Sequence, residues 1–72
     1  MSEANDRYVK YILDRIDADE YPSGELMDRV EFALESQEHV AAYLDVLFQK
    51  VDSCHYPSRH ILDRIARFAP MV

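Results

Sequence analysis

The sequence predicts an all-α domain in which two tandem helical hairpins form a small four-helix array. Three observations support this fold class. Apolar residues make up 49% of the 72-residue chain, which has one glycine and three prolines, a composition typical of a packed helical domain. Apolar residues also recur at three- and four-residue steps, and a motif around Tyr-Pro-Ser occurs twice. Residues 1–72 are therefore expected to form one domain.

The repeat becomes visible when the chain is aligned with itself at an offset of 35 residues. Two units, 7–34 and 42–69, then align without a gap. The identical pairs are Tyr8 and Tyr43, Asp17 and Asp52, Tyr21 and Tyr56, Pro22 and Pro57, Ser23 and Ser58, Asp28 and Asp63, and Arg29 and Arg64. The alignment predicts two equivalent hairpins whose Tyr-Pro-Ser corners lie at the same end of the array.

The first two helices are predicted over 5–18 and 23–35. Tyr21 ends the first helix zone, because proline disfavours helical geometry in the residue before it. Ser23 opens the second helix by accepting a hydrogen bond from a free amide of its first turn. The apolar stripes of these helices follow the helical period and consist of Tyr8, Val9, Ile12, Leu13 and Ile16, then Leu26, Met27, Val30, Ala33 and Leu34.

The third and fourth helices are predicted over 37–52 and 58–68, with Ser36 and Ser58 as N-caps. Because ALESQEHVAAY contains neither glycine nor proline, one continuous helix from Ser23 to Asp52 is an alternative. Such a helix would separate the hairpins and require dimerisation to cover their apolar faces. The corresponding stripes are Tyr43, Leu44, Leu47, Phe48 and Val51, then Ile61, Leu62, Ile65, Phe68 and Ala69.

Several charged side chains are expected to have structural roles. Asp17 and Asp52 stand at helix C-termini, where a carboxylate opposes the helix dipole, so we expect each to turn across its corner as a cap. Within helices, residues four apart can form ion pairs. The expected pairs are Glu25 with Arg29 and Asp63 with Arg67, and the other Asp-Arg charges are expected to be solvated.

Charge and cysteine content indicate the cellular setting. The net charge of −6 argues against direct nucleic-acid binding, for which lysines and arginines must neutralise phosphates. A basic partner would suit it better. Cys54 is the only cysteine, which favours a reducing compartment. The polar beginning MSEANDRY and the lack of a long apolar run predict a cytoplasmic protein without a membrane span.

The predicted corner end combines Cys54, His55 and His60 with Asp19, Glu20 and Glu25. The first interpretation is a solvated surface with an acidic first corner. The second is an electrostatic one, in which these histidines face the acids and make this end sensitive to pH. The third is a zinc site formed by Cys54, His55 and His60 with Asp19 or Glu20, although the spacing matches no standard site. We assign no metal and no cofactor.

Some apolar residues lie off the predicted core stripes. Tyr11 and Val46 point away from the apolar face of their helices, Phe32 stands on the flank of its stripe, and Met71 follows Pro70. Apolar residues outside the core of a small domain indicate a contact surface. We therefore expect Tyr11, Phe32, Val46 and Met71 to anchor an interface, with acids at its rim.

Together these features predict a small acidic, non-enzymatic protein-interaction module that binds a protein partner, a second copy of itself, or both. The alternative is an acidic inhibitor or nucleic-acid mimic, such as a phage-encoded antagonist, that occupies a basic groove. Its carboxylates would be Asp14, Asp17, Asp19, Glu20, Asp28, Glu31 and Glu35. A weaker alternative is a metal-binding sensor or enzyme that uses Cys54, His55 and His60.

Overall fold

The computed structural model describes residues 3–20, 22–53 and 59–72. Four α-helices occur there, and the described residues contain no strand, so the predicted all-α four-helix array is confirmed. The helices are α1 (Glu3–Ala18), α2 (Gly24–Ala33), α3 (Gln37–Asp52) and α4 (Arg59–Phe68), followed by a 3-10 helix over Ala69–Met71. None of the described helices is both long enough and apolar enough to cross a membrane.

The first hairpin is formed by α1 and α2, which pack against each other through their apolar stripes. Ser23 has extended backbone geometry, and its hydroxyl accepts a hydrogen bond from the Leu26 amide at 3.2 Å. This bond satisfies one of the amides that have no partner in the first turn of α2. Ser58, its equivalent in the repeat, lies outside the described residues.

The chain breaks between α2 and α3, so the alternative of one continuous helix is wrong. Leu34 leaves helical geometry with ψ at 119°, and Ser36 is extended with φ at −139°. Ser36 Oγ accepts a hydrogen bond from the His39 amide at 3.1 Å. From the first hairpin, Asn5 Nδ2 donates to the Ala33 carbonyl oxygen at 2.9 Å. The beginning of α1 therefore caps the end of α2.

His39 connects this break to α1. Its Nδ1 atom accepts a hydrogen bond from the Glu35 amide at 3.1 Å, and its Nε2 atom lies 2.8 Å from Asp6 Oδ1. Because Nδ1 acts as an acceptor, the proton of the imidazole is on Nε2, which donates to the carboxylate. The side chain thus fixes the α2–α3 turn against the first helix.

The second hairpin packs α4 against α3, with Tyr43 at its centre. Tyr43 is fully buried, and its ring forms a T-shaped pair with that of Phe68, with centroids 5.7 Å apart and planes at 82°. Such T-shaped pairs stabilise cores beyond the area they bury. Beyond Phe68, Pro70 lies in the 3-10 helix. Proline is common just after helix C-termini, because it cannot continue the α-helix.

The two hairpins stack with α1 beside α3, and these two helices run parallel. Near their N-termini Asp6 contacts His39, and near their C-termini Lys50 Nζ donates to the carbonyl oxygens of Asp17 and Asp19 at 2.5 and 2.6 Å. The helix ends that precede both corners therefore share one end of the domain. Residues 54–58 of the second corner lie outside the described residues.

A polar network joins α2 to α4 across the hairpins. Glu31 accepts hydrogen bonds from Tyr43 Oη and Arg64 Nη1, both at 2.5 Å, and from Arg67 Nη2. Arg64 Nη2 also lies 2.9 Å from Asp28 Oδ1. The side chains of Glu31 and Arg64 are only 10% and 13% exposed. The network therefore lies at the boundary of the core.

This network corrects two sequence predictions. Arg64, expected to be solvated, is mostly buried, and the partner of Arg67 is Glu31 rather than Asp63. Sequence spacing identifies neighbours within one helix but not charges on a helix that packs against it. The other local pair is confirmed: Arg29 Nη2 lies 3.1 Å from Glu25 Oε1.

Burial and charge shift the pKa values of two groups in the network. Burial raises the pKa of Tyr43, and the hydrogen bond to Glu31 raises it further. For Arg64, burial opposes the charge, but the hydrogen bonds to Glu31 and Asp28 outweigh it and raise the pKa above its ordinary value. Tyr43 therefore acts as a neutral donor and Arg64 as a permanent cation.

Replacing Lys50 by methionine is expected to lower the free energy of unfolding by about 1–2 kcal/mol. Methionine retains the apolar stem, so the loss isolates the ammonium group that binds the C-terminal carbonyls of α1. Urea unfolding followed by far-UV circular dichroism measures the change. An unchanged unfolding midpoint would show that the lysine contributes no cap.

Asp17 is the matched control, and its observed contact differs from the cap that we predicted. Asp17 contributes its main-chain carbonyl to Lys50, and its carboxylate makes no hydrogen bond to another described residue. The corner that Asp52 was expected to contact, residues 54–58, lies outside the described residues, so the Asp52 cap stays a prediction. The ammonium group of Lys50 lies at the C-terminus of α1, where the helix dipole favours a cation over a carboxylate. Asp17→Asn should therefore cost less than about 0.5 kcal/mol.

Candidate protein-interaction surface

The outer face of α1, opposite α3, carries two exposed tyrosines. Tyr8 is 39% and Tyr11 58% exposed, and with Ala4 and Arg7 they line a shallow depression of about 360 Å³. Arg15 Nη1 donates to Tyr11 Oη at 3.4 Å. Tyrosine and arginine are among the residue types enriched at the energetically dominant positions of protein interfaces.

On α2 the most exposed large apolar side chain is Phe32, at 94%. It borders a depression of about 410 Å³ that is also lined by Asp28, Glu31 and Arg67. The nearby Arg29 is held by Glu25, whose hydrogen bond raises the pKa of Arg29 above its ordinary value. An aromatic ring that contacts almost nothing in its own chain is a candidate contact for another one.

The second hairpin also exposes apolar residues of its predicted core stripes. Phe48 on α3 is 47% and Leu62 on α4 is 44% exposed, and Tyr8, in the predicted stripe of α1, is 39% exposed. These core assignments are wrong. In each case the residue follows the helical period, but the face that it occupies has no helix packed over it.

The four predicted anchors do not form one patch. Tyr11 and Phe32 are exposed on the first hairpin, and Met71 is 53% exposed at the end of the chain. Val46 instead packs against the core and lines a groove of about 400 Å³ between α1 and α3. The expectation that Val46 is a free anchor is wrong, because the stacking of the two hairpins covers its side of α3.

The acidic residues of the predicted set lie in three environments. Asp14, Asp17 and Glu20 are exposed, as is Glu35. Asp14 lies along the groove between α1 and α3. Asp19 is partly buried, and its carbonyl binds Lys50. The remaining two carboxylates of the predicted acidic set, Asp28 and Glu31, form ion pairs with α4. The predicted set is therefore not one uniform array of free charges.

The predicted metal-binding end is only partly described. Cys54 and His55 lie outside the described residues, and His60 is exposed in the first turn of α4. Within the described part of the chain, no group of three or more histidine, cysteine, aspartate or glutamate side chains could hold a metal ion. The zinc interpretation therefore stays a hypothesis that concerns residues 54 and 55.

Compared with protein-family models, with curated proteins and with solved structures, the chain shows no significant match. The candidate surface is therefore interpreted from its own residues, namely exposed aromatic side chains with arginines beside them on the first hairpin and two half-exposed apolar residues on the second.

Proposed function

We propose that the protein is a small, acidic, non-enzymatic protein-interaction module that acts in the cytoplasm. One observation carries the proposal: the first hairpin presents Tyr11 and Phe32 to solvent, with Phe32 94% exposed. The lone Cys54 suits a reducing compartment.

The proposal is supported by what the exposed residues could gain on binding. Fully burying an exposed phenylalanine side chain is worth roughly 1.5–3 kcal/mol. Arg15 and Arg29 lie on the same hairpin and could pair with acids of a partner. Aromatic anchors beside arginines are typical of the energetically dominant part of an interface.

The acidic inhibitor or nucleic-acid mimic is the second candidate. The net charge of −6 and the exposed Asp14, Asp17 and Glu20 favour it. Against it, Glu31 and Asp28 are already paired with arginines of α4. A mimic needs carboxylates that can replace phosphates on a basic surface, and these two are engaged within the chain.

Partner capture from the source cell tests the two candidates together. Immobilised wild-type protein is compared with Tyr11→Ala/Phe32→Ala and with Asp14→Asn/Glu20→Gln, and bound proteins are identified by mass spectrometry. Both pairs of residues are exposed, so neither variant should unfold the domain. We expect the aromatic variant to lose the captured proteins and the acidic variant to keep them.

Salt dependence gives an independent readout. An interface anchored by aromatic burial should retain its partner from about 0.05 to about 0.5 M salt, whereas attraction between exposed charges is screened over this range. Loss of capture in the acidic variant, together with steep loss with salt, would identify the mimic instead. Capture that is the same in all three proteins would contradict both candidates.

A further inference from the structure

The way the hairpins stack leaves one face of each uncovered. Helix α1 runs parallel to α3. Along α2 and α4 the paired charges also follow the same chain direction, since Asp28 contacts Arg64 and Glu31 contacts Arg67. The hairpins are therefore related by a shift rather than by a two-fold rotation. In such stacks a unit uses two different faces for its two neighbours. The outer face of the first hairpin and the outer face of the second are therefore unlike.

We propose that these two faces bind each other in different copies of the chain, so that the protein associates head to tail. This rests on the proposed function and identifies the partner as a second copy. The first-hairpin surface consists of Ala4, Tyr8, Tyr11, Arg15, Arg29 and Phe32. The second-hairpin surface consists of Ala41, Phe48, Asp52, Leu62, Asp63 and Ala66. All twelve of these residues are exposed.

The contacts between the two hairpins of one chain indicate how two copies would meet. The apolar positions of the contact give the first evidence. Leu13 and Met27 of the first hairpin are 7% and 1% exposed in the domain. Their equivalents 35 residues later are Phe48 and Leu62, which are 47% and 44% exposed. The second hairpin has apolar residues at both positions but no further hairpin to bury them. A second copy would supply that cover.

The ion pair between the hairpins also has its equivalent on the two free surfaces. Asp28 of the first hairpin pairs with Arg64 of the second at 2.9 Å. The equivalent residues on the two free surfaces are Asp63 and Arg29, so the same ion pair can form between copies. Opposite charges at matching positions steer association and set its register.

The contact of a basic side chain with a helix C-terminus also has its equivalent on the two free surfaces. Lys50 of the second hairpin donates to the carbonyl oxygen of Asp17 at the end of α1. The equivalents are Arg15 on the first-hairpin surface and Asp52 at the end of α3. A basic side chain thus faces a helix C-terminus in both cases, where it is stabilised by the helix dipole.

The contact between Glu31 and Arg67 has no polar counterpart in the proposed interface, and both of its partners differ there. Glu31 binds Arg67 within the chain, whereas the equivalent residues are Ala66 and Phe32. A single change would leave a charge unpaired in an interface, which is costly. The double change instead brings a small apolar residue opposite the exposed phenylalanine.

A second polar contact is replaced in the same manner. Asp6 binds His39 within the chain, and the equivalent residues are Ala41 and Ala4. The proposed interface therefore keeps the aspartate–arginine pair and the helix-end contact and replaces two polar contacts by apolar pairs. It has no equivalent of the hydrogen bonds from Tyr43 and Arg64 to Glu31, because Ala66 stands at the position of Glu31. Because the interface joins unlike faces, it does not close on itself, and the product is an open chain of copies.

Sedimentation velocity of the purified protein from about 10 μM to about 1 mM tests the proposal. We expect the average mass to rise continuously with concentration and to pass that of a dimer. A first-surface variant, Tyr11→Asp/Phe32→Asp, and a second-surface variant, Phe48→Asp/Leu62→Asp, should each weaken association at least about tenfold. A 1:1 mixture of the two variants should form a dimer and nothing larger, because each retains the surface that the other has lost.

Charge reversal provides variants that do not disturb the core. Asp63→Arg and Arg29→Asp alter exposed residues. Each should weaken self-association, and Asp63→Arg mixed with Arg29→Asp should restore pairing, since the reversed ion pair forms at one junction. Glu35→Arg is the matched control, because Glu35 is exposed in the α2–α3 turn outside both surfaces, and it should associate as the wild type does.

Three results would overturn the proposal: a wild type that stays monomeric throughout, association that persists in both single-surface variants, or mixtures that do not regain pairing. These results are distinguishable from failure of the proposed function. If the wild type is monomeric but captures cellular proteins through Tyr11 and Phe32, the module stands and its partner is another protein. If the copies associate and capture nothing else, the module serves self-assembly.

Discussion

Replacing Tyr43 by alanine is expected to cost about 3–5 kcal/mol of unfolding free energy, the range for removing a buried aromatic ring. Tyr43 has no exposed surface, forms a T-shaped ring pair with Phe68 and donates its hydroxyl hydrogen to Glu31. A domain of this size has roughly 4–11 kcal/mol of stability in total. The variant should therefore lose a large fraction of its stability, which thermal and urea denaturation measure.

Tyr8 is the matched control for this prediction, because it occupies the same position of the repeat. It is 39% exposed on the outer face of α1, so Tyr8→Ala should cost about 1 kcal/mol or less. Equal losses at the two positions would contradict the assignment of unlike environments to them.

A third variant, Tyr43→Phe, separates the hydroxyl from the ring. It keeps the packing and removes one hydrogen bond, so it should cost about 1–2 kcal/mol. Burial raises the pKa of Tyr43, and the stability linked to this shift is present below the ordinary tyrosine value of about 10 and is lost as the pH rises above it. The difference in stability between wild type and Tyr43→Phe should therefore shrink under alkaline conditions.

Glu31→Ala is the second substitution with a large expected effect, a loss of about 3 kcal/mol or more. The carboxylate binds Arg64, Arg67 and Tyr43. Its removal leaves the guanidinium of Arg64, only 13% exposed, beside Asp28 alone. Leaving a mostly buried cation without its main partner costs more free energy than the intact ion pair contributed. Urea unfolding measures the loss.

Two further variants show whether the charge of Glu31 is responsible. Glu31→Gln keeps an acceptor for Tyr43 but removes the charge, so it should lose less than the alanine variant. Glu35→Ala changes an exposed glutamate four residues later and should stay within about 0.5 kcal/mol of the wild type. If Glu31→Ala is as mild as Glu35→Ala, the network contributes little to holding the hairpins together.

The network also explains how a short chain keeps two hairpins in register. Glu31 is on α2, Tyr43 on α3, and Arg64 and Arg67 are on α4, so one carboxylate connects three helices. On the other side of the stack, the contacts of His39 and Lys50 connect α1 to α3. Polar contacts at both sides favour one stacking arrangement, whereas apolar packing alone tolerates several.

The architecture follows largely from local sequence. Helical periodicity, Ser23 and Ser36 as N-caps and Pro70 beyond the last helix predicted four helices, and the observed bounds agree within two residues. These signals act within a few residues of the chain, because capping and turn geometry depend on neighbouring amides. One local pair, Glu25 with Arg29, was predictable for the same reason.

The tertiary structure decided which apolar residues are exposed at the surface. Tyr8 and Tyr43 are equivalent in the sequence, as are Leu13 and Phe48, yet one member of each pair is buried and the other is exposed. A periodic stripe shows that a helix has an apolar face but not whether another helix covers the whole of it. That depends on stacking, which places the second hairpin against one face of the first and leaves nothing against its own outer face.

The sequence by itself thus determined the helices, the N-caps Ser23 and Ser36 and the division into hairpins, since these depend on interactions along a few turns of chain. Only the tertiary structure decided the partners of Glu31, Lys50 and His39 and which aromatic residues stay in solvent. Those outcomes depend on contacts between residues about 30 positions apart, which no local pattern encodes.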